Sequence, residues 1–325
     1  MRPAVPMVLL FALAAAFGSW PRAVAEPTGF DLQSHRGGRG ETTEESLRAF
    51  AKSLELGVST LELDIVLTKD KQPLVWHDPR IDETKCTDTA PAFPGDPMYP
   101  YVGQLVHDLT LEQIRTLDCG KLLSGFPDAE VVHGNRAATL PEVFELTDSY
   151  RADVRFNIET KIEADKPETS ATPQEFVDVI LDAVRVAGKV DKVDIQSFDW
   201  RTLPLVQRAE PSIPRVALWD DTTWIPDSPW LGGVNPAVDA DPIAGAMSAG
   251  ATVLSPQYQL VNRGFVDRAH ALGLKVTPWT VNDPDAMRAL IADGVDGLIT
   301  DYPTRLRGVL AELGLPLPPP FQRLS

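Results

Sequence analysis

The sequence predicts an α/β fold, a TIM (β/α)8 barrel with a long insertion after the second strand region. Three observations predict it: short β-rich runs alternate with helical patterns, the strand units number about eight, and the length suits one such barrel. An open doubly wound sheet satisfies the alternation equally, and it is the strand count that favours the barrel.

The chain opens with MRPAVPMVLLFALAAAFGSW, a basic residue ahead of an apolar run, followed by Ala23-Val24-Ala25. This is the layout of a secretory signal peptide over residues 1–25. The unbroken apolar run from Val8 to Phe17 is shorter than the roughly 20 residues that cross a bilayer. Its removal leaves residues 26–325 as a single barrel domain. No later segment is apolar enough to span a membrane, so the protein is expected to be exported, periplasmic or secreted, with no integral membrane segment.

After the leader, strands are expected at 30–35, 60–68, 73–78, 154–162, 192–198, 214–220, 252–258, 274–281 and 297–302. Helical patterns fill 43–57, 139–150, 172–188, 199–210, 262–273 and 283–294, several opened by a Thr, Asp or Asn cap and closed by Gly. Two stretches break the rhythm and read as loop insertions: 79–138, and 221–250, rich in Pro, Asp and Trp. The first holds both cysteines, Cys86 and Cys119. An even pair in an exported chain is expected to form a disulfide, adding roughly 3–4 kcal/mol in the loop-entropy account. No CxxC spacing supports zinc.

The formal charge is −16 and becomes −18 when Arg2 and Arg22 leave with the leader. So acidic a chain is not expected to bind nucleic acid. A small phosphate remains possible, because a local metal ion outweighs a global charge. Nothing in the sequence sets an oligomeric state.

Chemistry starts in LELDIV, where Leu61, Leu63 and Ile65 alternate with Glu62 and Asp64. The period of two puts both carboxylates on one strand face. In NIETKI, Asn157, Glu159 and Lys161 likewise share a face. Inward carboxylates in a parallel barrel need compensation, and a divalent cation supplies it. Three carboxylates without cysteine or an HExxH pattern form an oxygen-rich set suited to Ca2+ or Mg2+. Pairing with arginines on a solvated rim satisfies the same spacing. Two of five histidines, His35 and His77, end strand patterns, where barrel sites are built and where a proton donor and acceptor serve phosphodiester cleavage. His107, His133 and His270 lie in insertion or helix patterns and read as surface or packing residues.

HRGG at 35–38, TEESLRAF at 43–50, LELDIVLTKDKQPLVWHD at 61–78, NIETK at 157–161, QSF at 196–198, PWTVN at 278–282 and DGLITDYP at 296–303 together resemble the glycerophosphodiester phosphodiesterase family. The resemblance runs in order from residue 31 to about 306. It implies a TIM barrel in which His35 and His77 are general acid and base, and Glu62, Asp64 and Glu159 bind the metal. Arg36 and Lys161 would then face the phosphate of a small glycerophosphodiester substrate. Family members carry Pro-Glu-Asn-Thr where this chain reads Thr43-Glu44-Glu45-Ser46. Glu44 keeps that motif's glutamate and is expected to support the catalytic histidine or arginine. Trp279 is expected to line the glycerol pocket or to sit in the core, and Phe198 similarly. Asp301 is expected to order a loop or cap the last helix.

Two other readings stand. One is a phospholipase D-like enzyme acting on lysophospholipid or sphingolipid headgroups, for which Phe93, Met98, Tyr99 and Tyr101 of the insertion would either form an apolar entrance or merely cap the site. The other is a binding module that kept the fold and lost the chemistry; the presence of both histidines and all three acids argues against it.

Overall fold

The computed structural model describes residues 29–324. The expected signal peptide lies outside the described residues. Nine strands form one sheet: β1 (Asp31–Ser34), β2 (Thr60–Leu67), β3 (Pro73–Val75), β4 (Arg155–Thr160), β5 (Val193–Ser197), β6 (Arg215–Trp219), β7 (Val253–Pro256), β8 (Lys275–Val276) and β9 (Gly297–Thr300). All but β3 are parallel, in the order β8-β7-β6-β5-β4-β2-β1-β9. The ends meet where Val281 N–H donates to the Ile299 carbonyl at 2.9 Å and Ile299 N–H to the Pro278 carbonyl at 3.1 Å. This closes an eight-stranded barrel.

Helices cover its outside, α1 (Leu47–Leu56), α3 (Leu140–Ser149), α4 (Pro173–Val186), α5 (Thr202–Ala209), α6 (Pro242–Ser248), α7 (Arg263–Ala271), α8 (Pro284–Asp293) and α9 (Pro303–Glu312), while the short α2 (Leu111–Ile114) lies in the excursion after β3. They start where the sequence caps them. Ser46 Oγ accepts from Ala49 N–H at 3.0 Å, and Asn262 Oδ1 accepts from Phe265 N–H at 3.0 Å. In α4, Phe176, Ile180 and Val184 recur every four residues and are buried in the main core, with Ile158 and Ile195 of the strands. Leu61, Leu63 and Ile65 of β2 join the same core.

The opposite strand face is polar. Gln196 Nε2 donates to Glu62 Oε1 at 2.7 Å, and Asn157 Nδ2 donates to Gln196 Oε1 at 3.0 Å and to Gln33 Oε1 at 2.8 Å. The alternation in LELDIV thus separates helix-facing aliphatics from barrel-facing carboxylates.

Three expectations are corrected. The run 73–78 is not a member of the parallel set: β3 pairs antiparallel with the end of β2, Ile65 opposite Val75, and His77 lies just beyond it. The run 274–281 shrinks to a two-residue strand, because Pro256 of β7 has no N–H to give the Thr277 carbonyl, which accepts from Ser255 Oγ instead; an isolated parallel bridge pairs Gln257 with Trp279 further on. Residues 221–250 are not an insertion but the crossover from β6 to β7, and they carry α6. Residues 79–138 do form a separate excursion. Its small core joins Val66, Leu74 and Trp76 to Ile81, Tyr101 and Leu109, and the Cys86–Cys119 disulfide is formed within it.

Candidate active site

At the carboxyl ends of the strands a cleft of about 250 Å³ is lined by His35, Arg36, Glu62, His77, Glu159, Lys161, Phe198 and Trp279. The HRGG motif builds its first wall. One turn of 3-10 helix over His35–Gly37 is followed by Gly38, and Arg36, Gly37 and Gly38 have φ of 51°, 76° and 86°. Three successive left-handed residues are tolerable because two are glycines. A Cβ on Gly37 would lie 2.9 Å from Ala49 Cβ of α1, so the turn also needs the missing side chain to pack. Its result is that Arg36 N–H donates to Glu62 Oε2 at 2.8 Å.

Glu62 and Asp64 on β2 and Glu159 on β4 are buried, with Asp64 opposite Glu159 in the ladder. One carboxylate oxygen of each lies within 4.8 Å of the others, an arrangement that could hold a metal ion. Burial, then the charges of Asp64 and Glu159, drive Glu62 well above the usual carboxylate range. Burial pushes Glu159 up to about 7, against the opposing Lys161 ammonium, whose Nζ is 2.8 Å from Glu159 Oε1. Burial would raise Asp64 too, but Arg36 and Lys161 outweigh it and hold it low. Neither oxygen of Asp64 accepts a hydrogen bond; Arg36 Nε lies 3.0 Å from Oδ2. Hard, crowded and partly unsatisfied oxygens fit a divalent cation.

Each histidine has a carboxylate on Nδ1. Asp301 Oδ1 lies 2.5 Å from His35 Nδ1, and Asp78 Oδ1 lies 2.8 Å from His77 Nδ1. Burial, then Lys161 and Arg36, hold His77 well below the ordinary imidazole value. Of the two roles expected for Asp301, ordering a loop or capping the last helix, the cap is not formed. Tyr302 occupies the cap position of α9, while Asn282 Nδ2 donates to Asp301 Oδ2 at 2.7 Å and braces it beneath His35.

Glu44 sits behind Arg36, 3.4 Å from its guanidinium and 2.9 Å from Arg39 Nε. Burial would raise its carboxyl, but Arg36, Lys85 and Arg39 hold it low. Trp279 Nε1 donates to the Ser255 carbonyl at 2.8 Å and its ring meets Phe198 edge-on at 5.3 Å. His107 and His270 lie outside the cleft, bonded to the Glu168 carbonyl and to Asp296. The apolar entrance expected from the insertion is not built from those residues. Tyr101 is fully buried with its hydroxyl on Asp96 at 2.6 Å, Met98 and Tyr99 pack on the small core, and Phe93 is exposed.

Sequence reasoning did not single out Asp78, Lys85, Gln196, Asn282 or Glu45. Asp78 had a signal, its place beside His77. Glu45 had another, the glutamate in the family's asparagine position. It is buried at φ 55°, and its Oε1 accepts from Asp64 N–H at 3.2 Å.

A model of the Glycerophosphoryl diester phosphodiesterase family matches residues 35–305. A glycerophosphodiester phosphodiesterase of Caldanaerobacter subterraneus subsp. tengcongensis is 28% identical over 281 residues, 86% of this chain and 98% of its own length. One from Bacillus subtilis is 26% identical over 273 residues, 83% of each chain. The crystal structure of a candidate glycerophosphoryl diester phosphodiesterase from Silicibacter pomeroyi DSS-3 superposes with a TM-score of 0.74 at 29% identity, covering 89% of this chain and 95% of that one. With the barrel closed, the cleft assembled and the match spanning both histidines, the chain belongs to the glycerophosphoryl diester phosphodiesterase family and is a phosphoric diester hydrolase.

Proposed function

We propose that this hydrolase cleaves glycerophosphodiesters to glycerol 3-phosphate and an alcohol by histidine acid–base catalysis, with a divalent cation, Ca2+ or Mg2+, held by Glu62, Asp64 and Glu159. The observation that carries the reading is that both histidines, each with Nδ1 engaged by a carboxylate, line one cleft with the acid cluster. The cation, when bound, supplies positive charge to a non-bridging phosphate oxygen. Lys161, and Arg36 from the opposite wall, offset the remaining charge of the phosphodiester.

Asp301 and Asp78 fix Nδ1 of each ring, so Nε2 is the reacting nitrogen in both. His77, whose burial beside Lys161 and Arg36 disfavours the imidazolium, takes the proton of the glycerol 2-hydroxyl as that oxygen attacks phosphorus. His35 gives its proton to the departing alcohol as the P–O bond breaks. A cyclic glycerophosphate results. Water then attacks phosphorus, His35 takes a proton from it, and His77 returns its proton to the 2-oxygen. Trp279 and Phe198 give the glycerol carbons an apolar wall.

Export in the manner of periplasmic or secreted proteins, as a single domain over 26–325, belongs to the same reading; the Cys86–Cys119 disulfide supports it, since such bonds persist in oxidising compartments. Hydrolysis of glycerophosphocholine in calcium or magnesium, its loss in EDTA, and a fall in kcat of roughly 10²–10⁴-fold in His35→Ala and His77→Ala are expected. Near-wild-type turnover in either variant would overturn the histidine assignment. A preference for lysophosphatidylcholine would move the substrate to lipid headgroups.

A further inference from the structure

Lys85 lies in the excursion that follows β3, with its side chain 9% exposed. Its ammonium bonds two carboxylates, Glu44 Oε1 at 2.6 Å and Asp78 Oδ2. Each carboxylate leads to one wall of the cleft. Asp78 holds Nδ1 of His77 through its other oxygen, and Glu44 holds Arg39 and faces the Arg36 guanidinium. The Trp76 ring, 5.1 Å from Nζ, covers the ammonium on a third side. Burial alone would lower the Lys85 pKa, but Glu44 and Asp78 outweigh it and keep the group charged. One cation therefore joins the His77 wall to the Arg36 wall.

The residue beside Lys85 cross-links this segment. Cys86 is disulfide-bonded to Cys119. Around that bond, Lys121 N–H donates to the Lys85 carbonyl at 3.2 Å, while Thr87 and Asp118 exchange backbone hydrogen bonds at 2.8 and 3.1 Å. The cross-link ties the Lys85 backbone to the far side of the excursion, within reach of Glu44. Among the described residues no helix or barrel strand contains Lys85; its backbone is held by the disulfide, by these bonds and by a turn in which Lys85 and Cys86 N–H both donate to the Asp82 carbonyl, at 3.1 and 2.9 Å.

We propose that Lys85 is a positioning residue for the hydrolysis and that the Cys86–Cys119 disulfide holds it there, making the activity itself redox-dependent. This rests on the reading of His77 as the proton acceptor. Without the ammonium, Asp78, 28% exposed, is free to turn to solvent, and His77 loses the partner that fixes its reacting tautomer. Reduction by a dithiol breaks the S–S bond into two thiols, two electrons and two protons coming from the reductant, which closes to its own disulfide.

The test compares glycerophosphocholine turnover of the full chain as wild type, Lys85→Met, Cys86→Ser/Cys119→Ser, the triple variant and His77→Ala, each below its melting temperature. Lys85→Met is expected to lower kcat by roughly 10- to 100-fold, the scale of a small displacement of a reacting group, with KM changed less. Its pH profile should shift on the His77 limb, and the His77 Nδ1–H signal in histidine-labelled NMR should weaken. Loss of the disulfide should lower kcat in the wild-type background but add little to Lys85→Met. If the double serine variant fails to fold, brief dithiol reduction and alkylation of the folded wild type replaces it. Wild-type kcat, pH profile and Nδ1–H signal in Lys85→Met would overturn the proposal, as would an equal, additive effect of the disulfide in both backgrounds. If His77→Ala is inactive and Lys85→Met is not impaired, the role of Lys85 alone falls. If His77→Ala turns over normally, the histidine assignment falls and takes this proposal with it.

Discussion

At the scale of single residues, Glu45 shows how a charge is accommodated beneath the acid cluster. Burial, then the nearby Asp64 carboxylate, raise its pKa well above the ordinary value. Oε1 still accepts from Asp64 N–H, and Oε2 has no partner. Glu45→Gln keeps that acceptor and removes the ionisable proton, and is expected to leave stability within about 1 kcal/mol of wild type. Glu45→Ala strands a buried N–H next to Asp64 and is expected to cost about 1–3 kcal/mol. Urea unfolding of the two variants checks the difference; equal loss in both would mean that the side chain contributes packing rather than the hydrogen bond.

At the scale of elements, the turn His35–Gly38 is held between β1 and α1. Gly37 has a positive φ, and an added Cβ would meet both Ala49 and the Phe50 ring, 2.9 and 3.2 Å away. Gly37→Ala is expected to destabilise by roughly 1–3 kcal/mol and to lower kcat, because a pushed turn carries His35 and the Arg36 N–H with it. Melting temperature and turnover measured together check this, and a fall in one without the other would separate the turn's packing from its function. The same scale marks what could be read in advance. Period-two patterns placed Glu62, Asp64 and Glu159, because register on a strand is local. They did not reveal that β3 runs antiparallel, since hydrophobic alternation carries no strand direction. The bond from Asp301 to His35 was not read because the two are 266 positions apart and meet only when β9 pairs with β1. Lys85 was unread for the same reason, its role arising from a disulfide and two carboxylates brought together by folding.

At the scale of the whole molecule, a net charge of −16 surrounds a barrel whose interior already concentrates acids. Glu62 and Glu45 are raised well above the ordinary value and Glu159 to about 7. A carboxyl with a raised folded-state pKa binds its proton more tightly in the fold than in the unfolded chain. Its stabilisation is present below the unfolded value and lost as pH rises through the folded one. His77, with a lowered folded-state pKa, works in the opposite direction: its stabilisation is lost as pH falls below its unfolded value near 6.5. Above that value the unfolded imidazole also loses its proton, so the His77 share of the slope fades and the carboxyls set it. In EDTA, the melting temperature is therefore expected to fall between about pH 6.5 and 8. A cation competing with those protons should stabilise more at the upper end. Thermal unfolding with EDTA or millimolar calcium at both pH values measures this. Salt distinguishes the source: general surface repulsion is screened at about 0.5 M KCl, whereas repulsion within a buried cluster is screened much less. A pH trend that vanishes in salt would place the effect on the surface, and calcium stabilisation equal at both pH values would mean that the ion does not displace protons from Glu62 and Glu159.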